Sequence, residues 1–298
     1  MNRKSILILG SSGMAGHLVT TYLEEKGEYL ITDVSHSRKL RKASILMDAC
    51  KVQSLEAFLD KQDFDVIINC IGILNQRAEQ HPDRAILLNA FLPRFLEKRY
   101  QKTPTKVIQI GTDCVFSGKN GPYTEKSFRD GNSIYARTKA LGEISDGRCL
   151  TLRTSLIGPE INPDGIGLFH WFMKSTGKID GYVNSIWTGI TTLELAKALE
   201  WAMKNDVCGI YHLVPSEGIT KYDLLFLFQK VFQRSDLQIL KYRNPPVNKS
   251  LRNTRRDFVY QTPSYEQMLI QMREWMLRHP SFYPALLQRK IRNNPETT

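Results

Sequence analysis

The chain has no C-x-x-C pair, no long apolar run and too little acid to balance its base, and each lack removes a class of protein. Its five cysteines, Cys50, Cys70, Cys114, Cys149 and Cys208, are scattered and read as reduced thiols rather than as a zinc or disulfide framework. No metal site is expected. No apolar stretch approaches the ~20 residues that span a bilayer. The apolar start at residues 6–9 runs directly into glycine and serine, too short for a signal-peptide core. A cytoplasmic protein without a membrane partner is the expectation. No internal repeat is visible, and residues 289–298 read as a fraying polar tail.

What is present is the composition of a globular enzyme. Over 298 residues, 42% hydrophobic and 24% charged side chains argue against a disordered, collagen-like or coiled-coil chain. The net charge of +11 favours anionic partners without bearing on fold. It concentrates at residues 38–42 (RKLRK) and 241–256 (KYRNPPVNKSLRNTRR), which hold ten of the 41 Lys and Arg residues and no acid. Both are too short for a nucleic-acid stripe, so no nucleic-acid partner is expected, and both can meet a phosphate or two.

Up to Arg153 short β-type runs alternate with amphipathic stretches. Strands are expected at 5–9, 29–33, 44–47, 66–71, 106–110 and 149–153, with helices at 14–26, 85–100 and 135–144. That rhythm implies right-handed βαβ crossovers and an α/β, doubly wound parallel sheet, whose ligands bind beyond the carboxyl ends of the strands. Residues 1–155 would form this dinucleotide-binding domain, with elements near 183–213 returning to it. Residues 156–298 would build mainly a smaller C-terminal substrate-binding lobe, with helices at 168–176, 192–204, 221–232 and 265–279.

The first strand ends in GSSGMAG, with Gly10, Gly13 and Gly16 at three-residue intervals before a helix. Glycine there permits a tight turn, close approach of backbone to a pyrophosphate and close packing of helix on strand. An ordinary glycine-rich turn is the competing reading. After the second strand an acid would accept the ribose hydroxyls of NAD, whereas an arginine would pair with the extra phosphate of NADP. Asp33, Arg38 and Lys39 supply both types, so NADP(H) is preferred and NAD(H) stays open. Lys39, Arg41 and Lys42 also read as a solvated basic loop, and Asp48 as an adenine contact or a turn residue.

Tyr135 and Lys139 stand four apart and share a helix face. A lysine ammonium beside a phenol would lower the phenol's pKa from ~10 and make it a proton donor or acceptor near neutrality. Thr112, at the end of a strand, offers a hydroxyl to a substrate carbonyl oxygen. The same Y-x-x-x-K spacing recurs at Tyr22 and Lys26, read as surface helix residues, so order along the chain rather than spacing distinguishes Tyr135 and Lys139.

In that order, GSSGMAG, TDCVFSG (112–118) and YARTKALGE (135–143) resemble an extended short-chain dehydrogenase/reductase. Within it the chain is similar to the dTDP-4-dehydrorhamnose reductase family, with further matches in NCIG (69–72), LRTS (152–155), VNSIWTGITT (183–192) and YHLVPSEGITKYDL (211–224). The resemblance implies an NAD(P)-binding Rossmann fold and reduction of the 4-keto group of a nucleotide-linked 6-deoxy sugar. By the same resemblance Tyr135 is the proton donor, Lys139 holds the nicotinamide ribose and tunes Tyr135, and Thr112 polarises the carbonyl. Gly10, Ser12, Gly13, Met14, Ala15 and Gly16 would line the pyrophosphate, Arg38 the 2′-phosphate, Asp48 and Ala49 the adenine, and Cys70, Ile71 and Gly72 the middle of the cofactor. Thr112 and Asp113 would touch the sugar. Cys114 stands where the family often has tyrosine, which removes a hydroxyl near the sugar.

Trp187, and less so Trp171, could stack on the substrate, against the ordinary expectation of core tryptophans. Arg252, Arg255 and Arg256 could clamp its diphosphate, against that of a solvated loop. His170 and His212 lack metal spacing and read as structural. The rival functions are a non-catalytic dinucleotide-binding regulatory subunit and a sugar-nucleotide epimerase or dehydratase. A homo-oligomer is left open.

Overall fold

Runs of leucine, isoleucine and valine buried on both faces make the central sheet. The computed structural model describes residues 3–243 and 245–287, so the stretch 289–298 lies outside the described residues. In chain order the first half comprises β1 (Lys4–Leu9), α1 (Met14–Lys26), β2 (Tyr29–Ser35), β3 (Ile45–Leu46), α2 (Val52–Leu59), β4 (Val66–Asn69), α3 (Asn75–Gln80), α4 (Pro82–Ala85), α5 (Leu92–Tyr100), β5 (Lys106–Ile110), α6 (Ile134–Leu141) and β6 (Leu150–Arg153). A π-helical turn, Ile86–Phe91, joins α4 to α5.

The second half comprises β7 (Leu156–Ile157), α7 (Leu168–Lys174), β8 (Gly177–Tyr182), β9 (Ser185–Trp187), β10 (Ile190–Thr191), α8 (Thr192–Lys204), β11 (Gly209–His212), β12 (Ile219–Thr220), α9 (Lys221–Phe232), β13 (Leu237–Tyr242), β14 (Val247–Asn248), α10 (Tyr265–Arg278) and α11 (Pro284–Leu287).

Seven strands form one sheet in the order β11-β6-β5-β4-β1-β2-β3, and every pairing in it is parallel. This is the doubly wound Rossmann-type fold. Along β1, Ile6 and Ile8 join the core on one face while Leu7 and Leu9 join the core on the other, as strict alternation in a doubly covered strand requires. Strand order reverses between β1 and β4, and there the two following loops abut. A Cβ on Gly10, whose φ is +85°, would stand 3.0 Å from Ile71 and 3.1 Å from the Cys70 carbonyl carbon. Such a switch point is where open α/β sheets bind ligands.

Three small sheets lie in the second half of the chain: β13 beside β8, β10 beside β7, and β9 between β12 and β14. The basic stretch 241–256 contributes to two strands, β13 and β14. Several elements are shorter than expected, β3 and β4 among them. The strand over 66–71 stops at Asn69 because the Asn69 side-chain oxygen accepts the Ile71 N–H at 3.1 Å and turns the chain. The third strand keeps only Ile45 and Leu46. Among the described residues no helix is long and apolar enough to cross a membrane.

Candidate active site

The glycine-rich loop is held from both sides. The Gly10 and Ser11 amides donate to the Val34 carbonyl at 2.8 and 3.0 Å, tying the loop to β2. A Cβ on Gly16 would meet the Gly10 carbonyl oxygen at 2.1 Å, so only glycine lets α1 start this close to the turn. Gly13 is the N-cap of α1 and no side chain caps the helix. The first-turn amides of a 13-residue helix thus face outward at its positive end, between Ser12, Met14 and Ala15. That cradle fits a pyrophosphate.

At the end of β2 the two candidate selectors separate. The Asp33 carboxylate is wholly buried and bound by Arg41 through Nε at 2.9 Å and Nη2 at 2.5 Å, with Glu24 on the other guanidinium nitrogen. Both bonds fall on Oδ1 while Oδ2 is buried without a partner, so burial is what keeps Asp33 from a ribose, and Arg41 is a structural ion pair rather than part of a solvated loop. Arg38 is exposed, donates weakly to the Ile161 carbonyl at 3.5 Å, and lies near enough to His17 on α1 to disfavour its charged form. The Asp48 carboxylate accepts the Cys50 N–H at 3.0 Å, which chiefly holds it below the usual carboxylate range, with His36 and Arg84 at 3.8 and 3.9 Å adding to the effect. Ala49 is buried beside it.

Beyond β4 and β5 lie the remaining groups. Thr112 caps a short 3₁₀ turn by accepting the Cys114 N–H at 3.2 Å and donates to Asp113 at 3.3 Å. Tyr135 and Lys139 lie on α6, which Ser133 caps by accepting the Ala136 N–H at 3.0 Å. The Tyr135 phenol is buried with Thr112, Cys114 and Asp113 as its neighbours. Burial raises its pKa above the ordinary tyrosine value, which corrects the expected lowering by Lys139. The Lys139 ammonium donates instead to the Ile110 carbonyl at 2.7 Å. Burial brings it down to about 8, against the pull of Glu143 and Cys70. Burial likewise pushes the Cys70 and Cys114 thiols up, to about 12 and about 11. Asp113 is raised by burial, with Lys249 and Lys221 opposing.

Sequence reading missed the supports of this site. Asn89, in the π-helical turn, accepts the Ile73 N–H and donates to the Ile73 carbonyl, both at 2.9 Å, and donates to Thr138 at 3.2 Å. One buried amide thus clamps the Cys70–Gly72 loop to α6, and its signal was a lone asparagine in the apolar run ILLNAF. A Cβ on Gly142 would stand 1.8 Å from the Asn89 carbonyl oxygen, so α6 ends in glycine where that turn presses on it. Glu143 forms a fully buried pair with Arg153 at 2.6 Å, and Arg153 faces His212 Nε2 at 3.2 Å. Burial lowers His212, consistent with a neutral ring. Lys249 and Lys221, whose charges act on Asp113, carry no signal in the sequence that marks them.

The substrate candidates divide. Arg252 is exposed, and its backbone N–H bonds the Tyr123 carbonyl at 2.8 Å while its carbonyl meets His212 at 3.0 Å, placing it at the strand ends. Arg255 does not join it. It is paired with Asp257 at 2.7 Å, stacks on Tyr211 with its guanidinium 4.2 Å from the ring centre, and lies 3.1 Å from a Cβ on Gly209, the first residue of β11. It braces the sheet at the end away from Thr112. Trp187 is only 6% exposed, packed beside Tyr265, and cannot offer a stacking face, whereas Trp171 is exposed on α7. Tyr22 is not a free surface residue, since its hydroxyl donates to Glu200 of α8 at 2.8 Å.

Known proteins resemble the chain over most of its length. It is 27% identical to dTDP-4-dehydrorhamnose reductase of Salmonella typhimurium over 74% of this chain and 75% of that one. It is 24% identical to methionine adenosyltransferase 2 subunit beta of Xenopus tropicalis over 81% and 76%. In fold it matches the Bacillus anthracis dTDP-4-dehydrorhamnose reductase solved in complex with NADP, with a TM-score of 0.79 at 19% identity, over 92% of this chain and 100% of that one. Residues 3–277 match the model of the RmlD substrate binding domain, and the chain belongs to that family.

Proposed function

We propose that the protein is an NADPH-dependent reductase of the 4-keto group of a nucleotide-linked 6-deoxy sugar, dTDP-4-dehydrorhamnose or a UDP-linked analogue, serving surface polysaccharide synthesis. One observation carries the reading: Thr112, Tyr135 and Lys139 converge beyond β5, across the switch point from an uncapped helix N-terminus. The Salmonella and Bacillus proteins named above support it.

Gly10, Ser12, Gly13, Met14, Ala15 and Gly16 would hold the pyrophosphate, Asp48 and Ala49 the adenine side, and Cys70, Ile71 and Gly72 the middle of the cofactor. Asp33 is buried against Arg41, so Arg38 is the group left to meet a 2′-phosphate, which favours NADP(H) over NAD(H). NADPH supplies the hydride when bound. Tyr135, kept protonated by its burial, gives its phenolic proton to the substrate oxygen, and Thr112 donates a second hydrogen bond to that oxygen as charge grows. Lys139, its ammonium held by the Ile110 carbonyl, would meet the nicotinamide ribose. Arg252, with Lys249 and Lys221 whose charges act on Asp113, offers cations to the substrate diphosphate. A purified sample should consume NADPH on addition of a 4-keto-6-deoxy nucleotide sugar, and no consumption would overturn the reading.

The likeness to methionine adenosyltransferase 2 subunit beta favours a second reading, a dinucleotide-binding regulatory subunit. Tight NADPH binding without turnover of any keto-sugar, together with co-purification of a catalytic partner, would establish it.

A further inference from the structure

The described chain ends in a segment that packs against α7 and α10 and reaches α1 through Tyr283 and Phe282. After α10 come a 3₁₀ turn, Pro280–Phe282, and α11, with Tyr283 and Leu286 buried. The Tyr283 hydroxyl lies 2.8 Å from Nε2 of His17, in the second turn of α1, and His17 Nδ1 lies 2.9 Å from the Gly13 carbonyl oxygen. Both side chains are sealed from solvent.

The protons can be assigned by chemistry. A carbonyl oxygen only accepts, so Nδ1 carries the hydrogen and Nε2 of the neutral ring accepts from the tyrosine O–H. Gly13 is the N-cap of α1, and its own amide donates to the Gly10 carbonyl at 3.1 Å. A continuous hydrogen-bonded line therefore runs from Tyr283 through His17 to the backbone that forms the anion cradle. Phe282 closes the histidine from the side, edge-on at 6.2 Å between ring centres.

We infer that Tyr283 and His17 are positioning residues for the dinucleotide, and that docking of the C-terminal segment 279–287 and occupation of the glycine-rich loop stabilise each other. The inference rests on the dinucleotide site proposed above. Neither residue touches the reacting groups at Tyr135, so loss of the bond acts on cofactor affinity and leaves proton transfer intact. Coupling between two sites is reciprocal, so the cofactor must in turn protect the segment.

Two measurements on the full-length protein test this, with NADPH as the probe. Tyr283→Phe strands a buried acceptor and should weaken NADPH binding, followed by fluorescence titration, about tenfold. Its kcat should stay unchanged. Arg255→Ala, which loosens the sheet elsewhere, should lower Tm and leave the NADPH Kd alone. In the wild-type protein, NADPH should slow hydrogen exchange of the amides in 280–287, which requires no variant to fold. Wild-type binding with no protection of 280–287, or an unaltered Kd in Tyr283→Phe, overturns the coupling and spares the dinucleotide site. A wild-type protein that does not bind NADPH overturns both.

Discussion

The Lys139 ammonium donates to the Ile110 carbonyl at 2.7 Å, within the closed end of the site, and burial brings it down to about 8 while Tyr135 is pushed up. The group that titrates near neutrality is thus the lysine and not the phenol. kcat/KM should fall as pH rises through about 8, and Lys139→Arg should move that limb upward in whatever activity it keeps. A profile flat up to the ordinary lysine value of about 10.4 contradicts this.

The same lysine makes a prediction about stability. Its folded pKa lies below the 10.5 of the unfolded chain, so between about 8 and 10.5 the unfolded state binds more protons and stability rises with pH. Below that window the buried charge is a full cost. Lys139→Met should abolish turnover yet stabilise the protein at pH 7, by up to roughly 3 kcal/mol. The Ile110 carbonyl keeps the Gln109 side-chain N–H at 2.9 Å. A Tm that drops at pH 7 contradicts the account.

Cofactor choice should follow Arg38 and not Asp33. Arg38→Ala should raise the KM for NADPH about tenfold and leave that for NADH nearly unchanged. Asp33→Asn should lower stability by about 3 kcal/mol, because Arg41 loses its buried partner, without altering cofactor preference. Equal effects of Arg38→Ala on both cofactors would place the 2′-phosphate elsewhere.

Acid should loosen the fold through histidine. His17 is buried and lowered to about 4 by burial, so between 6.5 and about 4 the unfolded chain takes up a proton the native one refuses. Stability contributed by the neutral ring is present above 6.5 and lost on acidification through that window. Urea unfolding of His17→Gln should show a shallower pH slope there. An unchanged slope would mean that this ring does not report on acid sensitivity.

Two arginines that look alike in the sequence should behave differently. Arg252→Ala should raise the KM for the sugar nucleotide, whereas Arg255→Ala should lower Tm and leave that KM alone. The reverse pattern would put the diphosphate at the opposite end of the sheet.

Much of this architecture is legible in the sequence, because hydrophobic period and glycine spacing are local. The parallel sheet, α1, α8 and α9 follow from runs such as SILIL, and the structure adds caps such as Thr220, which accepts the Asp223 N–H at 3.0 Å. What local patterns do not carry is partnership at distance. Nothing around Arg41 reveals that it, rather than solvent, neutralises Asp33, and nothing around Arg255 reveals that Tyr211 and Asp257 have taken it. Trp187 is lost to the core for the same reason, since the room beside it is made by Gly189, where a Cβ would stand 2.0 Å from the indole. The direction of the Tyr135 shift is not legible in the sequence, because helix spacing brings Lys139 to the same face but does not fix where its amine points, and the Ile110 carbonyl does.

The most direct measurement mixes the purified protein with NADPH and dTDP-4-dehydrorhamnose and follows the loss of NADPH absorbance, for the wild type and for Tyr135→Phe. The account predicts steady consumption by the wild type and a fall of about a hundredfold or more in the variant. Full activity in Tyr135→Phe, or NADPH binding without turnover in the wild type, would contradict it.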